Sequence, residues 1–332
     1  MNRRQSMLVI LVSCLVLLTA CSTTKDDRLG SSVEQLDLTP APATSSSSSS
    51  SAACRKDYKA SLRPDRPLPA PNKMSPDSFM DAIWRQGYLM VGVDQNTKLL
   101  GYYNPNKKQF EGFDIDIAQE IAKAIFGPDL HGRIRYRALL TSQRTDAVRN
   151  KQVDIVADAV TINCPRTRLV SFSNVYFMAH QRVLVRSASQ AQAPGDLRGK
   201  KVCATTGSTA IETMLPGVRP YPVSARTDCL VALQQADVDA ILADDAILYG
   251  FLAQDPHTKL LPGNITDEPY GLAIDKSHPE FVRFVNAVLE QMRGPNGRWT
   301  QIWKRWFGSG QVGGQSTKVP VQPPPCYTDE KC

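Results

Sequence analysis

The chain has 332 residues, 42% of them hydrophobic and 21% charged, and its 39 Lys and Arg against 32 Asp and Glu leave a formal net charge of +7. That length and balance exclude a disulfide-dependent miniprotein and a highly charged disordered chain. The positive excess is not gathered into a long Lys/Arg block, which argues against a dedicated nucleic-acid binder.

The N-terminus reads as an export signal. Arg3 and Arg4 precede an apolar stretch over residues 7–18, which is shorter than the ~20 apolar residues a membrane-spanning helix needs. Leu18-Thr19-Ala20-Cys21 has the apolar-small-small-Cys order of a bacterial lipobox. Residues 1–20 are therefore expected to be a lipoprotein signal peptide, with Cys21 the lipidated (diacylglycerol, palmitate) first residue on the outer face of the cell membrane. A short signal anchor or a plain signal peptide is the alternative. Residues 21–75 read as a flexible Ser/Pro-rich tether, since Thr44 and seven following serines offer nothing to pack. Residues 309–332 read as a Gly-, Gln- and Pro-rich tail.

Between these ends the pattern alternates strand and helix. Ser75-Pro76 reads as an N-cap and first helical turn, with Gly87 as the stop. A buried strand over 89–93, a helix opening at Gly112, a strand over 134–137, a helix over 144–150 and a strand over 153–157 follow. A second run has strands at 183–185, 201–204, 219–223, 239–243 and 270–274. Its helices fall at 209–215, 227–235, 244–253, 279–292 and 297–307. This order predicts an α/β fold in two lobes with a cleft between them. Trp299, Trp303 and Trp306 share one helix face and are expected to anchor the core. The four histidines are scattered, so no metal site and no cofactor are expected.

Removing Cys14 with the signal and Cys21 with the lipobox leaves six cysteines, and an exported chain with an even count suggests disulfides. Cys203–Cys229 is favoured because both lie at the edges of one predicted α/β lobe. Cys326–Cys332 would close a small loop, and Cys54–Cys164 would tie the N-terminal extension to the core.

No Walker A, GxGxxG, GxSxG or SxxK signature is present. Four segments stand out instead: Gln109-Phe110-Glu111-Gly112-Phe113-Asp114-Ile115-Asp116, Val153-Asp154 running through Arg166 to Phe172-Ser173, Gly199-Lys200-Lys201-Val202 with Gly207-Ser208-Thr209, and Glu268-Pro269-Tyr270-Gly271. In order and spacing they resemble the polar-amino-acid family of bacterial solute-binding proteins, especially glutamine/glutamate-binding lipoproteins of ABC transporters. The resemblance covers residues 76–307. It implies a two-lobed periplasmic-binding-protein-like fold of type 2, with residues 76–179 and 266–308 in lobe 1 and 180–265 in lobe 2.

The resemblance also implies a ligand set. Arg166 matches the clamp on an amino acid's α-carboxylate, Thr161 a hydroxyl beside it, and Asp244 the acceptor of the α-ammonium. Ser208 and Thr209 match a second-lobe turn that binds the ligand, Thr205 a side-chain reader, and Ala159 a further cleft position. Asp94, Asn96 and Lys98 follow the first strand, where the family touches ligand, and Arg144 lies near the side-chain end. Lys98 or Arg144 in the cleft would favour glutamate or aspartate over glutamine or asparagine. Asp158 departs from the small residue usual there, and would repel an acidic ligand unless Arg144 or Arg166 neutralises it. The expected function is a non-enzymatic, monomeric receptor delivering an amino acid to an ABC importer. The alternatives are a sensor acting through a membrane signalling partner and a dehydratase built on the same fold.

Overall fold

A computed structural model describes residues 57–65, 67–308, 311–312, 315–316 and 320–330. The expected signal peptide, Cys21, Cys54 and Cys332 lie outside the described residues. Among the described residues no helix is long and apolar enough to cross a membrane.

The first helix, α1 (Phe79–Gln86), starts three residues later than Ser75-Pro76 predicts. Ser78 is its cap: the Ser78 hydroxyl accepts from the Asp81 N–H, while Asp77 sits at φ 61°, outside helical space. Gly87 ends it in a left-handed conformation, as expected. Then come β1 (Leu89–Val93), a hairpin sheet of β2 (Asn96–Thr97), β3 (Gly101–Asn104) and β4 (Gln109–Glu111), and α2 (Phe113–Phe126). The segments β5 (Ile134–Ala138), α3 (Arg144–Arg149), β6 (Ile155–Val156), α4 (Cys164–Leu169) and β7 (Ser171–Phe172) complete the first pass. The strands pair in the order β5-β1-β6, parallel throughout. That is the outcome of strands separated by covering helices.

After β7 the chain leaves this sheet, and the long strand β8 (Phe177–Arg186) belongs to a second one. There β9 (Lys201–Thr205) lies parallel to both β10 (Arg219–Val223) and β11 (Ala240–Asp244), and β11 pairs antiparallel with β8. Helix α5 (Thr209–Glu212) is a single turn, shorter than the helix to residue 215 predicted. α6 (Arg226–Gln234), α7 (Asp245–Leu252) and β12 (Thr258–Leu260) finish this half. Pro220 and Pro222 are tolerated because β10 is an edge strand.

The single strand expected over 270–274 is two. β13 (Asp267–Tyr270) runs back antiparallel to the start of β8, whereas β14 (Ala273–Ile274) joins the first sheet beside β6 and β7. Between them at Gly271 a Cβ would lie 2.8 Å from the Ile162 side chain. The β8/β13 ladder is thus the double connection between two lobes, each built on one sheet; the largest cluster of buried apolar side chains runs through both lobes, and a smaller cluster belongs to each.

Helices α8 (Pro279–Gln291) and α9 (Arg298–Phe307) close the first lobe. Trp299 and Trp303 are buried in its core, and the Trp299 indole N–H donates to the Tyr176 carbonyl at 2.7 Å. Trp306 is half-buried and donates to Asp116 at 2.8 Å. Parts of the expected tether and tail also dock here. Ser61 bridges Tyr327, its hydroxyl donates to the Phe172 carbonyl at 2.7 Å, and Asn286 donates to both Ser61 and Leu62. Residues 57–65 and 320–330 therefore belong to the folded body, because buried polar partners await them.

Cys203 and Cys229 are disulfide-bonded, as expected, with Cα atoms 5.5 Å apart. Cys164 and Cys326 each take part in a disulfide as well. Closing the 26-residue separation between Cys203 and Cys229 constrains the unfolded chain by roughly 3 kcal/mol. The double variant Cys203→Ser/Cys229→Ser should therefore melt on the order of 5–10 °C lower. An unchanged melting temperature in differential scanning calorimetry would contradict that contribution.

Candidate functional site

Between the lobes lies a narrow cavity of about 20 Å³. Its walls include Arg144, Ala159, Thr161 and Arg166 from the first lobe and Thr205, Ser208, Thr209, Arg226 and Asp244 from the second. The volume suits a single water rather than an amino acid, so a larger ligand enters only when the lobes separate.

Local sequence explains how each group arrives. Asn163 caps α4, its side chain accepting from the Arg166 N–H at 3.0 Å, and Pro165 fits the first turn. Arg166, third residue of this helix, projects its guanidinium back over the preceding segment. There Nη1 donates to the Thr161 carbonyl at 2.8 Å, and Nη2 crosses to the second lobe, donating to the Gly207 carbonyl at 2.9 Å. Arg144, first residue of α3, donates from Nε to the Thr141 carbonyl and from Nη1 to the carbonyls of Asp158 and Ala159. Ala159 is held at φ 47°, an unusual backbone for a residue with a side chain. Asp114 fixes it by accepting its N–H at 2.9 Å.

From the second lobe, Ser208 caps α5, and Gly207 turns just before it at φ 78°. A Cβ on Gly207 would stand 2.7 Å from Ser142 Cα in the opposite lobe. The lobes are therefore in contact at this point. Asp244 ends β11 and accepts from the Tyr270 hydroxyl at 2.6 Å. Beneath the cavity, Glu268 of β13 accepts hydroxyls from Thr161 at 2.7 Å and Thr209 at 2.8 Å, one from each lobe, and an amide N–H from Gln181 at 2.9 Å.

Burial dominates the electrostatics. It pushes Asp244 up to about 7, with nearby Glu268 adding to the effect, and it lowers Arg166 and brings Arg144 down to about 9. Asp158 is also raised by burial.

Most residues anticipated from sequence do meet here: Arg166, Thr161, Ala159, Arg144, Thr205, Ser208, Thr209 and Asp244 share one cavity. Lys98 does not. It is exposed and outside the cavity wall, with Gly250 packed against its carbonyl. Asn96 is exposed too. Asp94 is buried but lines an adjoining pocket rather than the cavity. Asp158, for which the sequence left repulsion of an acidic ligand or neutralisation by Arg144 or Arg166 open, has an ion pair through its carboxylate with neither arginine. Its partner is Arg226, whose Nη1 donates at 2.6 Å to Asp158 and 3.1 Å to Asp94. Burial opposes the Arg226 charge, but Asp158 and Asp94 together hold its pKa above the ordinary value.

Arg226, Glu268 and Tyr270 escaped sequence reasoning as site residues. Glu268-Pro269-Tyr270 stood out as a segment without a role. For Arg226 no local motif exists, because its partners are 68 and 132 residues away.

The family model for bacterial extracellular solute-binding proteins, family 3, matches residues 89–309, which hold nearly all of the elements just described. The chain belongs to this family. Among family 3 relatives, the ABC transporter glutamine-binding protein GlnH of Bacillus subtilis is 33% identical over 240 residues, covering 71% of this chain and 87% of its own. The glutamate-binding protein GluB of Corynebacterium glutamicum is 32% identical over 230 residues, covering 65% and 77%. A solved ancestral arginine-binding protein bound to glutamine superposes with a TM-score of 0.60 at 29% identity, over 67% of this chain and 98% of that one. The two-lobed architecture is thus that of solute-binding proteins of family 3.

Proposed function

We propose that this protein is an extracytoplasmic receptor for an acidic amino acid, glutamate or aspartate, and delivers it to an ABC importer. The observation that carries this reading is that Arg166 and Asp244 face one closed cavity from opposite lobes. A guanidinium pairs the two oxygens of an α-carboxylate, a carboxylate accepts an α-ammonium, and one zwitterion between them draws both lobes shut. With Arg166 and Asp244 engaged by the α groups, Arg144 remains in the wall as a cation for the side chain, which favours a ligand with a second carboxylate over glutamine or asparagine. In this reading Thr161, Ala159, Ser208 and Thr209 surround the α groups, and Arg144 and Thr205 meet the side chain. The name of GlnH, an ABC transporter glutamine-binding protein, supports an importer-linked role, and that of GluB, a glutamate-binding protein, supports the ligand. Lobe 1 comprises residues 76–179 and 266–308, lobe 2 residues 180–265, and the lipid on Cys21 anchors a monomer to the membrane's outer face.

Binding needs no cofactor and makes no covalent change, so the protein acts as a receptor rather than an enzyme. A structural neighbour, the ancestral amino acid-binding protein AncCDT-1, a precursor of cyclohexadienyl dehydratase, has a TM-score of 0.61 at 26% identity. A dehydratase assay on prephenate and arogenate therefore belongs beside the binding assay, and turnover would displace the receptor reading.

Titration calorimetry against all twenty amino acids tests the ligand class. Micromolar binding of glutamate or aspartate is expected, and no response to either overturns it. Affinity should also fall in acid. Asp244 at about 7 is protonated below that pH, whereas the α-ammonium needs it ionised, so binding expels a proton. Affinity is expected to weaken by up to about tenfold per pH unit below 7 and to level off above it. Calorimetry in two buffers of different ionisation enthalpy detects the proton released near pH 6, and a buffer-independent heat there would contradict this linkage.

For stability the sign is opposite. Burial raises Asp244 and Asp114 to about 7 in the folded state, against an ordinary carboxylate value near 4 when unfolded. The folded state then holds more protons between those values, and these two groups make the free protein less stable as pH rises from about 4 to 7.

A further inference from the structure

Building on the amino-acid reading above, we infer that Arg226 is an internal cation that fills an acidic side-chain subsite, occupying the place of a ligand cation so that the cleft rejects basic amino acids. Asp94, just after β1, and Asp158, just after β6, converge from the first lobe with side chains 10% and 0% exposed. Two carboxylates so close and so buried are tolerable only around a cation. Arg144 of their own lobe acts on Asp158 without an ion pair to its carboxylate, and the direct partner comes from the other lobe. Arg226 opens α6 in the second lobe and reaches across, its Nη1 donating to Asp158, Asp94 and the Thr97 hydroxyl at 2.6, 3.1 and 3.3 Å, and its Nη2 to the Asp158 carbonyl at 3.3 Å.

The fit is incomplete in a telling way. Asp158 Oδ2 is buried without a hydrogen-bond partner, so one guanidinium arriving from this side does not saturate the pair. The Thr141 hydroxyl is likewise buried and unpartnered. Thr141 and Arg226 both line the ligand cavity and also a neighbouring pocket of about 210 Å³ that Asp94, Gln143 and Ala225 help to form. Arg226 is therefore a wall between the two. Shortening it joins them and exposes two carboxylates to the ligand's side chain. With Arg226 in place a ligand ammonium or guanidinium meets a like charge, and a ligand carboxylate meets an opposite one.

The test compares the protein with its Arg226→Ala variant, using calorimetry with L-glutamate, L-arginine and L-lysine. Thermal unfolding with methylguanidinium, which carries the cation but neither α group, is measured in parallel. The variant should melt several degrees lower and recover with millimolar methylguanidinium, because the ion replaces the missing partner of Asp94 and Asp158. It should bind arginine at least tenfold more tightly than the parent does and glutamate at least tenfold more weakly. Adding Asp158→Asn should erase the gain for arginine. A folded variant that neither arginine nor methylguanidinium stabilises overturns the inference. If Arg226→Ala does not fold, Arg226→Gln must show the same reversal, and its absence there is equally decisive. If methylguanidinium rescues the variant while the parent binds no amino acid, the cation subsite stands and the amino-acid reading fails.

Discussion

Replacing Arg166 by alanine is expected to abolish amino-acid binding while leaving the protein folded. Arg166 is 8% exposed, and its guanidinium donates to two carbonyls, those of Thr161 and Gly207. Glu212, Asp244 and Glu268 act on this charge without a direct ion pair, which leaves a ligand carboxylate as its natural contact counter-ion. Truncation would strand that carboxylate in a desolvated cleft, at a cost of about 3–5 kcal/mol, or a few hundredfold or more in affinity. Removing a cation whose pKa burial already lowers does little harm to the unliganded fold. Asp244→Asn should lose a similar amount, since the Tyr270 hydroxyl retains an acceptor while the ligand ammonium loses its anion. Wild-type affinity in either variant, measured by calorimetry with the melting curve as the folding control, would remove that residue from the site.

Gly207→Ala should weaken binding nearly as much, by a different route. Its backbone at φ 78° is costly for alanine by about 1 kcal/mol, and this part of the penalty applies whether the lobes are apart or together. The larger part exists only when they meet, because the added Cβ would stand 2.7 Å from Ser142 Cα. Backbone on both sides leaves no flexible side chain to yield. Closure should cost at least about 2–3 kcal/mol more, and affinity should fall some thirty- to hundredfold, against a melting-temperature loss of only a few degrees. Small-angle scattering should show the radius of gyration shrinking with ligand in the parent and not in the variant. Equal contraction of both would show that the lobes close without this contact.

The sequence made the fold class legible because the alternation of buried strands and amphipathic helices is a local signal. Helix α2 and strand β1 fell where periodicity put them. The boundary errors have physical causes. Ser78 competes with Ser75 as the cap and wins through its bond to Asp81. The stretch 270–274 reads as one apolar strand, yet tight packing at Gly271 turns it between two sheets. The docked segments 57–65 and 320–330 were illegible because their partners, Phe172 and Asn286, are remote in sequence.

The site divides the same way. Arg166, Thr161 and Asp244 lie in segments whose order and spacing could be matched to a family. Arg226 sits in Val223-Ser224-Ala225-Arg226-Thr227, which looks like any solvated helix start. Its importance comes from two lobes meeting, which no window of sequence contains. Lys98 shows the converse: a cation next to a matched strand end that the backbone directs to the surface.

The central claim is that one zwitterion, held by Arg166 from one lobe and Asp244 from the other, closes the cleft. The most direct measurement is calorimetric titration with L-glutamate beside its N-acetyl and α-amide derivatives, each of which removes one of the two charges. Tight binding of L-glutamate, with both derivatives at least a hundredfold weaker, is the predicted result. Equal affinity for either derivative, or no binding of L-glutamate, L-aspartate or their amides at all, would contradict it.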